Sequence, residues 1–133
     1  MNQTYTDIIY GEIDNLSIKL PVEFNTHENW FLQIHAIWFE SLTYFSQEYI
    51  VSLNCNLIQS FTRNSLHQKQ TIQTPLQVFS FVSDQKQHKH FFTNNSKYFI
   101  NNPSSKLKFD LKFINFPYRG KAHVGIHFTL KRF

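Results

Sequence analysis

From Ser105 onward, apolar and polar positions alternate with a period of two. Leu107, Phe109, Leu111 and Phe113 take one parity; Lys106, Lys108, Asp110 and Lys112 take the other. After a break at residues 115–120 the pattern resumes, with Val124, Ile126, Phe128 and Leu130 alternating with His123, Gly125, His127 and Thr129. Strict alternation puts one face in a core and the other in water, so it predicts two antiparallel strands of a half-buried sheet. Aromatic and β-branched content predicts another strand from Trp30 to Phe39. Its alternation puts Leu32, Ile34, Ala36 and Trp38 on one face, and Phe31, Gln33, His35, Ile37 and Phe39 on the other.

Shorter strands are predicted over 16–20, where Pro21 stops the ladder, and over 48–53, 76–82, 88–92 and 98–100. The polar stretches 25–29, 83–87 and 101–104 read as turns. Residues 54–61 fit either a strand continuation or a helical turn, and the Gln-rich stretch 62–74 is expected as a long loop. Tyr5, Ile8, Ile9 and Tyr10 show no helical stripe, so residues 1–12 read as an extended arm preceding one domain over 13–133. With about eight strands, no long helix and no internal repeat, the class is all-β: an antiparallel β-sandwich or jelly roll.

Composition supports a packed core. In 133 residues there are fifteen Phe, six Tyr and two Trp, each ring burying roughly 150–250 Å² when enclosed. The single cysteine, Cys55, has no partner for an internal disulfide and lies in an apolar setting, which predicts an inert packed thiol in a reducing compartment. Met1 is followed by polar Asn2, Gln3 and Thr4, so no secretory leader is expected. No stretch reaches the roughly 18 apolar residues of a membrane span.

The net charge of +4 is unevenly spread. Residues 1–60 hold one base, Lys19, against Asp7, Glu12, Asp14, Glu23, Glu28, Glu40 and Glu48, whereas residues 61–133 hold twelve bases against Asp84 and Asp110. Such a split points to nucleic acid or to complementary surfaces on neighbouring subunits, unless the two halves interleave in the fold. Lys106, Lys108 and Lys112 share one wet face, with Arg119 and Lys121 close in sequence, which makes these five the candidate subunit or DNA contacts. Phe109 and Phe113 have the opposite parity, so they are expected in the core and not as stacking platforms for bases.

Catalytic vocabulary is sparse. There is no Gly-x-Ser-x-Gly elbow and no Gly-rich phosphate loop, so an enzyme is not expected, and neither is a cofactor. His88 and His90 share a strand face and could hold a metal with a third ligand. His123 and His127 also share a face, but four residues of strand separate them by roughly 13 Å, too far for one ion. Neither pair forms a zinc motif.

The order of segments resembles the single jelly-roll penton or minor capsid proteins of Polinton (Maverick) and adintovirus elements. The resemblance is carried by Leu16-Ser17-Ile18-Lys19-Leu20-Pro21, by the Trp-led stretch from Asn29 to Phe39, and by Leu76-Gln77-Val78-Phe79. It continues through Tyr98–Pro103, Leu107–Phe113 and Val124-Gly125-Ile126-His127-Phe128. It departs at Asn29, where the family often has Gly, and at residues 115–120, where it often has an Asp-x-x-Gly turn. The resemblance implies a jelly-roll subunit that assembles with itself, in a pentameric ring, beside a major capsid protein and with packaged DNA held by non-specific charge. It also implies a place in the virion capsid after synthesis in the host cytoplasm or nucleus. The alternatives from the residues are a lectin-like or cytokine-like recognition module, using loops 62–74 and 83–97 with Tyr44, Phe45 and Tyr118, and a nucleic-acid-binding β protein.

Overall fold

The computed structural model describes residues 4–13, 15–20, 29–40, 47–63, 65–72, 75–83, 88–91, 97–102, 104–115 and 122–132; for 47, 60–63, 69–72, 83 and 88–91 it describes the backbone alone. Every regular element among them is a strand: β1 (Thr4–Glu12), β2 (Leu16–Lys19), β3 (Trp30–Glu40), β4 (Gln47–Cys55), β5 (Ser60–Arg63), β6 (Lys69–Ile72), β7 (Gln77–Ser83), β8 (His88–Phe91), β9 (Lys97–Phe99), β10 (Lys106–Phe113) and β11 (His123–Arg132).

The strands form a β-sandwich with jelly-roll winding. One sheet runs β1-β11-β3-β8 and the other β2-β10-β4-β7. β9 also pairs with β3, along Phe31–Gln33, while β8 pairs along Ala36–Phe39, so the two occupy successive stretches of one edge. Counted that way there are eight strand positions. The first pairs with the last, the second with the one before the last, and the fourth with β7, all antiparallel. This is the double-sheet winding of a jelly roll.

The core is the alternating apolar parity of both sheets facing inward. Leu107 and Phe109 from β10, and Val124, Ile126, Phe128 and Leu130 from β11, are buried, as their periodicity predicts. They form one cluster with Leu16 of β2, Tyr49, Val51 and Leu53 of β4, and Phe79 and Phe81 of β7. Phe109 and Phe128 meet edge to face, with ring centroids 5.8 Å apart, an arrangement that adds to the area they bury.

Three expectations are corrected. Residues 4–12 are not an arm set apart from the domain: β1 pairs with β11 along its full length, from Thr4 opposite Lys131 to Glu12 opposite His123. The stretch 62–74 is not one long loop, because β5 and β6 pair as a hairpin whose connection holds His67 at a φ of 60°. The single alternation expected along β3 is broken by a bulge. Opposite β11, His127 pairs with Ala36 and Phe128 pairs with Ile34, so His35 is the extra residue. Beyond it the parity inverts: Ile37 and Phe39 join Leu32 and Ile34 in the core cluster, and Ala36 and Trp38 do not. Two residues on one strand facing one on its neighbour is what a bulge does, and it lets a strand re-aim its side chains partway along.

The same winding disperses the charge. β1 to β4 come from the acidic half of the chain and β7 to β11 from the basic half, and each sheet places strands of one half beside strands of the other. Glu12, His123 and Glu40, for example, form one row across β1, β11 and β3.

Candidate functional site

Among the described residues, the outward face of the larger sheet carries the densest group of side chains suited to binding. Its rows are set by register across β1, β11 and β3: Thr6, Thr129 and Gln33; then Ile8, His127 and Ala36; then Tyr10, Gly125 and Trp38; then Glu12, His123 and Glu40. The bulge adds His35 between the first two rows.

His35 lies with its ring centroid 4.7 Å from that of His127, tilted by 44°. Its Nε2 is 2.7 Å from the Thr129 hydroxyl, which is 3.0 Å from the hydroxyl of Thr6. Partial burial, and then the neighbouring His127, hold the His35 imidazole below its ordinary pKa. One row further on, the sheet uses a glycine for space. A Cβ at Gly125 would fall inside the indole of Trp38, against Cε2, Cζ2 and Nε1, so the ring lies directly on the Gly125 backbone. Tyr10 stacks on His123 with centroids 5.8 Å apart and an interplanar angle of 9°, and its hydroxyl donates to a Glu40 carboxylate oxygen at 2.6 Å. That hydrogen bond to a carboxylate raises the Tyr10 pKa. Near the far end of the face, the Lys97 ammonium sits 4.9 Å from the ring centroid of Phe31. Such a face offers ring planes, imidazole nitrogens and hydroxyls, the functional groups that recognise ligands and metals.

The outward face of the four-stranded sheet is of another kind. Lys106, Lys108 and Lys112 project from β10 and are exposed, on the wet face where alternation put them. Lys19 of β2 joins them, opposite Lys106 in register. Lys108 pairs with Asp110 at 3.7 Å, an exposed contact that contributes little to stability. Asn56, just past β4, holds this part of β10 in place: its side chain donates to the Lys106 carbonyl and accepts from the Lys108 amide, both at 2.7 Å. Towards β7 the face turns apolar. Val78, Val82 and Ile114 are 55%, 57% and 59% exposed. Ile50 stands between them, its carbonyl accepting from the Ile114 amide and its register partner being Ser80.

Of the candidate residues, Lys106, Lys108 and Lys112 are thus brought together on one face. Arg119 and Lys121, and the recognition candidates Tyr44, Phe45 and Tyr118, lie outside the described residues; Glu40 and His123, which flank those stretches, are register partners. His88 and His90 stand opposite Phe39 and Ile37 in register. His123 and His127 each have a separate partner, Tyr10 and His35. Cys55 is buried, and that burial pushes its thiol pKa up to about 12, the behaviour of a packed thiol and not of a nucleophile. Periodicity did not disclose the contact of His35 with His127, the seating of Trp38 on Gly125, or the part of Lys19; all three depend on cross-strand register. The chain matches no protein-family model, no curated protein and no solved structure.

Proposed function

We propose that this chain is a structural subunit: a single jelly roll of the penton-like or minor capsid kind that assembles with copies of itself into a closed ring. The observation that carries the reading is the apolar patch of Val78, Val82 and Ile114 on the outer face of the four-stranded sheet, each more than half exposed. Contiguous outward apolar side chains on a sheet face mark surfaces that bury against a partner. The jelly-roll winding, which capsid domains share with lectins and cupins, supports the same reading. Ile8 and Tyr10 stand exposed on the opposite sheet, so unlike surfaces are available for a head-to-tail contact, and such a contact closes into a ring of about five when its rotation fits. In this reading the protein acts by packing and not by catalysis, beside a major capsid protein in the virion. The lysine band of Lys19, Lys106, Lys108 and Lys112 gives salt-sensitive contact with packaged DNA.

A second reading, a lectin-like recognition module, is favoured by the ring-rich outer face of the larger sheet, where Tyr10, His123 and Trp38 lie close together. The two are separated by Val78→Lys and Val82→Lys. Under the capsid reading each reduces assembly while leaving the thermal midpoint of the monomer near the wild-type value. Assembly unchanged by both substitutions contradicts the role given to this patch.

A further inference from the structure

The bulge in β3 produces a juxtaposition that neither strand would make alone. It leaves His35, on the outer face with Gln33, as an extra residue in the register beside His127 of β11, although 91 residues separate them in the chain. The two rings are spaced as ligands of a single ion would be. A metal bound to an imidazole nitrogen lies about 2.0–2.1 Å from it, hence roughly 3.2 Å from the ring centroid; two imidazoles on one ion then have centroids about 4.5–5.2 Å apart, for angles at the metal from square to tetrahedral. The observed separation is 4.7 Å.

The surroundings are those of a histidine ligand. The Thr129 hydroxyl lies 2.7 Å from Nε2 of His35 and is itself tied to Thr6 at 3.0 Å. In the tautomer that donates Nε2–H to Thr129, Nδ1 of His35 keeps the lone pair a metal needs. Metal-binding imidazoles are commonly held through the second nitrogen in this way. The ring nitrogens of His127 make no hydrogen bond among the described residues.

We propose that His35 and His127 together bind one divalent transition-metal ion, of the class that favours imidazole: Zn²⁺, Ni²⁺ or Cu²⁺. No group of three or more His, Cys, Asp and Glu is assembled among the described residues, so the site is open: two protein ligands, with water in the remaining positions. Mg²⁺ and Ca²⁺, which require oxygen ligands, do not bind here.

The test is calorimetric titration of the full chain with ZnCl₂ and with NiCl₂, in a non-coordinating buffer at neutral pH. The expected result is one ion per chain, bound at least tenfold more weakly by His35→Gln and by His127→Gln, and unchanged in His123→Gln and in the double variant His88→Gln/His90→Gln. Wild-type binding no tighter than that of His35→Gln and His127→Gln overturns the proposal, as does a loss of the same size in either control. If a Gln variant fails to fold, the wild-type protein answers the same question through diethyl pyrocarbonate labelling read residue by residue. Zn²⁺ should then protect His35 and His127 selectively, and equal labelling with and without Zn²⁺ overturns the assignment.

Discussion

Replacing Gly125 with alanine sets two effects of opposite sign against each other. Glycine inside a strand costs about 0.5–1 kcal/mol relative to alanine, because the unfolded chain has more freedom to lose. On that ground alone Gly125→Ala would stabilise the protein. The new Cβ, however, falls inside the indole of Trp38. Either the indole leaves its seat on the strand or β11 and β3 separate, and overpacking of this kind costs about 1–3 kcal/mol. The steric effect wins, leaving a net loss of about 1–2 kcal/mol, or roughly 3–10 °C in melting temperature for a domain of this size. The assay is a double-mutant cycle by urea denaturation. In a Trp38→Ala background the obstruction is gone, and Gly125→Ala should become neutral or stabilising by about 0.5–1 kcal/mol, so the two sites couple strongly. A Gly125→Ala variant as stable as wild type refutes the reasoning, and so does a cost that persists undiminished when Trp38 is removed.

Phe109→Ala, which empties a fully buried position packed on Phe128, should cost about 3–5 kcal/mol in urea unfolding; a loss below 1 kcal/mol would mean that the core is not organised around that ring pair. Cys55 should resist a thiol reagent in the native protein and react fully once urea unfolds it, because burial lifts its pKa from 9.0 to about 12. Above pH 9 the unfolded thiol releases its proton first, so the stability linked to Cys55 is present below pH 9 and is lost as pH rises to about 12. Cys55→Ala should therefore flatten the alkaline limb of the stability profile in that window, and an unchanged limb counts against the shift. Burial, followed by the hydrogen bond to Asp7, likewise raises Tyr5 from 10.0 to about 12; in a spectrophotometric titration Tyr5→Phe should leave the number of phenols ionising near pH 10 in the native protein unchanged while lowering the unfolded count by one, and a loss of one native phenol near pH 10 counts against the shift.

The legible parts of the fold were those in which one strand, read alone, reveals its buried face. β10 and β11 are such strands: β10 alternates along its length and β11 as far as Leu130, and Leu107, Phe109, Val124, Ile126, Phe128 and Leu130 are buried accordingly. β3 was half legible. Its existence follows from its aromatic and β-branched content, but the bulge at His35 is set by pairing with β11, and local alternation carries no sign of the partner. The β5–β6 hairpin was hidden for another reason: Ser60–Arg63 and Lys69–Ile72 are mostly polar, and a strand without an alternating apolar face looks like a loop. β1 read as an arm because Ile8, Ile9 and Tyr10 follow one another without a break. Only the pairing with β11 separates buried Ile9 from exposed Ile8 and Tyr10.

The candidate site follows the same division. The lysines of β10 could be placed on a wet face from sequence because they lie on a single strand. The imidazole pair could not, since spacing within one strand sets His127 beside His123, whereas its neighbour in space is His35. The separation of charge along the chain suggested two poles, and the winding places acidic-half strands between basic-half strands. Any salt-dependent association must therefore come from local groups such as the lysine band and not from opposed hemispheres.

Self-assembly is the central claim, and the native mass of the purified chain tests it most directly, measured by light scattering over a range of concentrations at low and at high salt. A self-assembling subunit gives a discrete closed species of about five copies, held by apolar contact and therefore persisting at high salt. A monomer at every concentration and salt contradicts it.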